Sequence, residues 1–279
     1  MGVHALYTAA TGMDAQMRNI DVIANNVANI NTDGFRKDRV NFADLFYHQQ
    51  SLVGAVGSNG PIKPSGVHVG HGVRIVSTEK MFTPGGIIQT GNDMHLAIQG
   101  NGNMFFEVTR PDQTTAYTRA GNFLRDSQGR MITPTGDLLS PEITIPAETQ
   151  SVSISQNGIV TAYDGQDPNG QQIGQITLTR FVNPAGLEPI GDNLFTATAS
   201  SGDPQAGIIP GENGIPALLQ HALEGSNVNA VSELIQLIQG QRAYEINSNV
   251  IKSADEALQI ANNLREDWAY FIMILELSA

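Results

Sequence analysis

The sequence predicts an α+β protein in which the N- and C-terminal helices pair as one discontinuous, coiled-coil-like domain around an inserted, mainly β middle. Three observations lead there. Apolar residues recur at helical spacing only near the two ends of the chain. Between those ends, short runs alternate at the period of a strand and are separated by Gly, Pro, Asn and Asp clusters. Finally, a single N-terminal helix of this length is marginal in water, and the only other long helix lies at the opposite end of the chain.

In the N-terminal stretch, Leu6, Ala10, Met13, Met17, Ile20, Ala24 and Val27 follow one another in steps of four and three, a heptad seam. Gly34, after Asp33 and before Phe35, is the expected helix stop. Residues 36–80 read as an extended connector with a Gly/Pro-rich loop at 54–66. The β domain is expected over 81–205, in "HLAIQ", "MFFEV", "TTAYTR", "SVSIS", "IVTAY", "QITLTRF" and "LFTATA". Asn157-Gly158 between alternating apolar residues predicts a type I′ hairpin. A return connector fills 206–225, with Pro210 and Pro216.

The C-terminal helical signal begins after "GSNVNA" (225–230), with Ser226 or Asn227 as the candidate cap and Val231, Ile235 and Ile238 on one face. Ala243, Val250, Ala257 and Leu264 recur every seven residues, and so do Leu237, Tyr244, Ile251 and Leu258, one position around. The apolar band is therefore wider than one seam and should touch more than one neighbour. The terminal helical domain is 1–35 plus 226–264, and 265–279 is a separate tail.

Composition excludes several functions. A net charge of −12 with no basic stripe argues against nucleic-acid binding, which needs clustered cations on phosphates. The absence of cysteine removes disulfides, thiolate metal sites and cysteine nucleophiles. "MGVHALYTAATGMDAQ" lacks the charged and apolar regions of a secretory signal, and Leu6 sits where a myristoylation motif wants Ser or Thr. The longest apolar run, "WAYFIMIL", is too short to span a membrane.

No catalytic, cofactor or metal residues are expected. "QGNGNMFF" lacks the third glycine of a dinucleotide fingerprint, and no phosphate loop or nucleophile elbow occurs. His68 and His71 would face opposite sides of a strand and make a poor ligand pair. Arg242 and Glu245 form an (i, i+3) pair on a face that is either solvated or in lateral contact with an identical subunit. A β-rich enzyme or binding module with helical oligomerisation arms is the reading from a different class.

"TGMDAQMRNIDVIANNVANINTDGFRK" resembles the N-terminal signature of bacterial flagellar rod and hook proteins, and "GSNVNAVSELIQLIQGQRAYEINSNVIKSADEALQ" resembles their C-terminal signature. "PSGVHVGHGVRIVSTEKMFTPGGIIQTGNDMHLAIQGNGNMFFEV" and the stretch from Phe42 to Gly66 are similar to the distal-rod branch more than to the proximal-rod or hook branches, which remain the alternatives. The resemblance covers about residues 1–264. It implies a non-enzymatic subunit of a helical homopolymer, the drive shaft between motor and hook. Terminal helices would line an export channel and β domains would form the outer layer. It implies a basal-body location from periplasm to outer membrane, reached through the flagellar type III export apparatus without a cleavable signal. Other rod proteins and the hook protein would be partners at the ends, and the P- and L-ring bushing around it.

On that resemblance the assembly interface is expected at Leu6, Met13, Met17, Ile20, Asn25, Asn26, Val27, Asn29, Gly34 and Phe35 on the N-terminal side. On the C-terminal side it is expected at Asn227, Val228, Asn229, Glu233, Ile238, Gln241, Arg242, Tyr244, Glu245, Asn247, Val250, Ile251 and Leu258. Asn25, Asn26 and Asn29 would hydrogen-bond neighbouring subunits, and Asn31 and Gly34 would end the helix. The tail "REDWAYFIMILELSA" departs from the family pattern and has no assigned role.

Overall fold

The computed structural model describes residues 2–51, 66–100, 102–165, 170–212 and 214–277, the side chains of 2, 3, 50, 51 and 264–277 excepted. Two long helices stand at the chain ends, α1 over Gly2–Ala28 and α2 over Ala230–Leu277, with strands and one short 3-10 turn between them. The fold is α+β. The expected loop at 54–66 lies, but for Gly66, outside the described residues. No helix among the described residues is long and apolar enough to cross a membrane.

Helix α2 starts at Ala230, next to where the sequence signal begins, but neither expected cap residue directly precedes it. Asn229 stands in the cap position, while Ser226 Oγ accepts from the Val228 N–H at 3.2 Å and the Asn227 amide is engaged in loops elsewhere. Glu233 occupies the first turn, where the helix dipole favours an anion. The tail continues this helix to Leu277, and Trp268, Tyr270 and Phe271 fall where side chains are not described.

The chain divides into two units. The first gathers 1–25, 39–79 and 231–279, and the second 26–38 and 80–230. In the first, the segment 39–79 carries strands of its own: Asp38–Asp44 pairs with Val73–Lys80, and Tyr47–Ser51 with Val67–Gly70. The two helices meet at their glycines. A Cβ on Gly12 would stand 3.0 Å from Asn247 Nδ2, and one on Gly240 would stand 3.1 Å from Ile20 Cγ1. Positions rise on α1 as they fall on α2, so the helices run antiparallel at this crossing. Ala9, Ala15 and Ile23 are the buried apolar residues of α1 among its described side chains. In the expected heptad seam, Leu6, Met13, Ile20 and Val27 are half-buried while Ala10, Met17 and Ala24 are exposed. A single chain covers that seam only in part.

The second unit is built on a nine-stranded sheet. Its central strand, Met104–Thr109, pairs along one edge with Thr115–Thr118. Its other edge is shared between Leu138–Ser140, opposite 107–109, and Leu178–Arg180, opposite 104–106. Both faces of this strand are covered. Met104, Phe106 and Val108 join one apolar cluster with Leu96, Phe123, Leu139 and Leu178. Phe105 joins a second with Tyr117, Phe181, Leu187 and Phe195, in which rings meet edge to face. This is why "MFF" is a continuous apolar run where a one-sided sheet would show strict alternation.

The Asn157-Gly158 hairpin forms between Ser151–Ile154 and Ile159–Tyr163, but with a different turn. A type I′ turn needs positive φ at both central residues. Here only Gly158 has it (φ 77°), and its N–H bonds to the Ser155 carbonyl at 2.9 Å. The loop is one residue longer, a turn closed by a glycine bulge. The pair with positive φ at both positions is Asp192-Asn193 (53° and 58°), linking Glu188–Gly191 to Leu194–Thr196.

Candidate functional site

Two features stand out, an uncovered helix surface in the first unit and a buried polar clamp in the second. On α2, Val231, Leu234, Ile235 and Ile238 are exposed and follow i, i+3, i+4, i+7 spacing. Val231 and Gly240 are nine residues apart, two and a half turns, so this stripe lies opposite the side that meets α1. Further along, the same outer side turns polar. Arg242 donates to Glu245 Oε2 at 3.1 Å, a solvated pair worth a few tenths of a kcal/mol.

The remaining expected interface residues divide by exposure. On α2, Gln241, Tyr244, Val250 and Leu258 are exposed, Asn247 and Ile251 are half-buried, and Glu233 is buried. Before the helix, Asn227 and Val228 are half-buried and Asn229 is exposed. Within α1 Asn25 is exposed; after the helix Asn29 is half-buried, Asn31 is exposed, and Gly34 and Phe35 are buried.

Asn26 is buried and bonds its own chain. Its Nδ2 donates to the Asp38 carbonyl and its Oδ1 accepts from the Asp38 N–H, each at 2.9 Å. This clasp is what makes a poor helix former useful there, because only a short amide presents a donor and an acceptor to one peptide. Asn26→Ala is expected to destabilise the protein by about 2 kcal/mol, since two partners lose their bonds. Urea denaturation would check this, and an unchanged midpoint would remove the clasp's role. Gly34 likewise does more than stop a helix. Its φ is 69°, and a Cβ there would fall 2.6 Å from Ala120 N, so backbone meets backbone.

Around Gly34 the loops of the second unit converge. Glu224 is the centre: its Oε1 accepts from Arg36 Nη2 at 2.6 Å and from the Gly85 N–H at 3.0 Å. Its Oε2 accepts from Arg119 Nε at 2.8 Å and Nη2 at 2.6 Å. Its backbone carbonyl accepts from the Gly34 N–H at 2.7 Å. Burial pushes the Arg119 pKa down to about 10, although Glu224 pulls it up, and Arg36 lowers it further. Beside this, Asn227 Oδ1 accepts from the Lys37 N–H at 2.8 Å while its Nδ2 donates to the Met81 carbonyl at 2.6 Å. Asn193 Nδ2 donates to the Asp33 carbonyl at 3.0 Å.

The segments by which the chain enters and leaves this unit, 26–38, 80–83 and 224–227, are thus bound to one another. Sequence reasoning placed Gly34, Phe35 and Asn227 in the interface but missed Arg36, Arg119 and Glu224. Charged residues in a chain with few of them, sitting among apolar runs, were the available signal.

The histidines also group unexpectedly. His71 stacks on Phe46 at 4.5 Å and meets His4 and His48 edge-on at 5.5 and 6.5 Å. Among the described residues no group of three or more His, Asp or Glu could hold a metal ion.

The family model of the flagella basal body rod protein matches residues 6–36. That of the flagellar hook protein FlgE/F/G D1 domain matches 97–162, and that of the flagellar basal body rod FlgEFG protein C-terminal region matches 219–264. A relative from Caulobacter vibrioides, flagellar basal-body rod protein FlgG, is 48% identical over 265 residues, 94% of this chain and all of the relative. The FlgG of Borreliella burgdorferi is 44% identical over 94% of this chain and 99% of its own. The Caulobacter vibrioides basal-body rod protein FlgF is 30% identical over 94% and 97%.

Proposed function

The chain belongs to the flagellar basal-body rod protein family, and from that membership we propose that it is a structural subunit of the distal rod, polymerising helically through its terminal helices. Its identity to FlgG proteins, against 30% to an FlgF from one of the same organisms, supports the distal member over its neighbours. The observation that carries polymerisation is the pair of opposed surfaces on α2. One side meets α1 at Gly240 and Asn247, and the other presents Val231, Leu234, Ile235 and Ile238 to solvent. Contiguous exposed aliphatic side chains on a rigid helix are an interaction surface.

In this reading α1 and α2 pair as a coiled-coil-like inner layer around an export channel, and neighbouring subunits cover the open side of α2. The β-rich unit forms the outer layer. The tube transmits torque from motor to hook within the basal body, from periplasm to outer membrane. Rod and hook proteins bind its ends, ring proteins surround it, and the subunit arrives through the flagellar export apparatus.

Electron microscopy of the concentrated protein, intact and lacking 230–279, tests this. Tubes from the intact protein that vanish on truncation are the expected result. Compact monomers from the intact protein at every concentration would overturn it.

A further inference from the structure

The nine-stranded sheet is complete without the last β segment of the chain. All its strands fall within 104–208, whereas Leu218–Gln220 and Leu96–Ile98 form a separate two-stranded sheet, and Ala222–Glu224 and Ile87–Gln89 another. The segment 217–227 is thus laid over the second unit as a strap. The Ala217 carbonyl accepts from the Gln99 N–H at 2.9 Å, and the Leu218 N–H donates to the Gln156 carbonyl at 3.1 Å. Gln220 Nε2 donates to the Asp93 and Val152 carbonyls, each at 2.8 Å, while its Oε1 accepts from the Ile154 N–H at 2.9 Å. Glu224 and Asn227 fasten the far end to Arg36, Arg119 and Lys37.

Two features separate this strap from the sheet beneath it. Its corner, His221, has a φ of 61°, a left-handed backbone that a β-carbon disfavours and that opening relieves. Its far end is held by one carboxylate and two guanidiniums, all taken out of water. Opening returns the three charges to water together, and the hydration regained offsets much of their attraction. The central strand of the sheet has no such return, because Phe105, Phe106 and Val108 are fully buried and apolar.

We propose that residues 217–227 open and close as one strap while the nine-stranded sheet stays folded. Closure fastens the segment that follows α1, at Gly34, Arg36 and Lys37, to the segment that precedes α2, at Glu224 and Asn227. The joint between the two chain arms is then a switch distinct from the core of the fold.

Hydrogen exchange of the unmodified full chain, read by NMR on the unassembled subunit, tests this. The Gly34, Thr90 and Gly225 N–H groups bond across the strap to the carbonyls of Glu224, His221 and Gly86. Those of Met131, Ile176 and Phe181 bond within the body to Ile143, Gly158 and Asn103. After correction for intrinsic rates, the first three should exchange at least about tenfold faster than the second three, and should share one dependence on urea. Rates no faster than those of the body would overturn the proposal, because the strap would then open only with the whole unit. Three unrelated urea dependences would also overturn it, since the amides would be fraying one by one.

A cysteine-free chain also permits a reversible lock. Ala222 and Gln89 stand opposite each other in register, so Ala222→Cys with Gln89→Cys can tie the strap down. Within that one protein, oxidation should shrink the rate gap between the two sets of amides by about threefold or more, and reduction should restore it. A gap that oxidation leaves unchanged would overturn the proposal. Should the double variant not fold, exchange in the unmodified chain decides alone.

Discussion

Replacing Glu224 with alanine is expected to destabilise the protein by about 3–5 kcal/mol, a large part of the ~5–15 kcal/mol that holds a typical domain folded. The two guanidiniums it joins are buried, so neither regains water when the carboxylate is lost. The Gly85 N–H loses its acceptor at the same time. Glu224→Gln should recover little, because it restores shape but not charge. Arg36→Met is the informative contrast. It leaves Glu224 with Arg119 as one neutral pair, held through Nε and Nη2, and removes the unanswered charge. It should therefore cost clearly less than Glu224→Ala in the isolated subunit. Urea denaturation of the three variants decides this. A Glu224→Ala loss below about 1 kcal/mol, or an Arg36→Met loss equal to it, would mean that the clamp is not organised around the carboxylate.

The second large effect is on assembly. Ile235→Asp with Ile238→Asp should abolish tube formation while leaving the subunit's stability within about 0.5 kcal/mol of the original. Ile235 is 51% and Ile238 56% exposed in the single chain, so the substitutions disturb little there. In a packed array the same positions would bury two unpaired carboxylates, each costing several kcal/mol. Sedimentation and circular dichroism separate the outcomes. Normal tubes from the double variant would show that this face of α2 is not a subunit contact. A loss of helix signal in the monomer would show that the residues support α2 itself.

The sequence showed the helices clearly because their signal is local. Heptad spacing in residues 6–27 and 231–258 is set by neighbours in the chain, and the strand runs from "HLAIQ" to "LFTATA" likewise form where alternation predicts them. The resemblance at both ends led to the family for the same reason, since its motifs are contiguous. Turn chemistry was less legible. Asn157-Gly158 and Asp192-Asn193 both suit a tight hairpin, and strand register, which one residue can shift, decides which adopts the mirror-image turn.

The clamp could not be read in advance. Arg36 and Glu224 stand 188 positions apart, and nothing in either neighbourhood marks the other. Their meeting depends on Gly34 closing on Ala120 and on the bend that brings Ala222–Glu224 beside Ile87–Gln89. The asparagine in "VIANNVANIN" shows the same division. Composition made it conspicuous, but only the folded chain places Asp38 opposite Asn26 and so turns an apparent helix breaker into a clasp. Periodicity and motif order determined the class, the elements and the family. Packing decided which polar groups are buried together, because burial is a property of the whole path of the chain and not of any window along it.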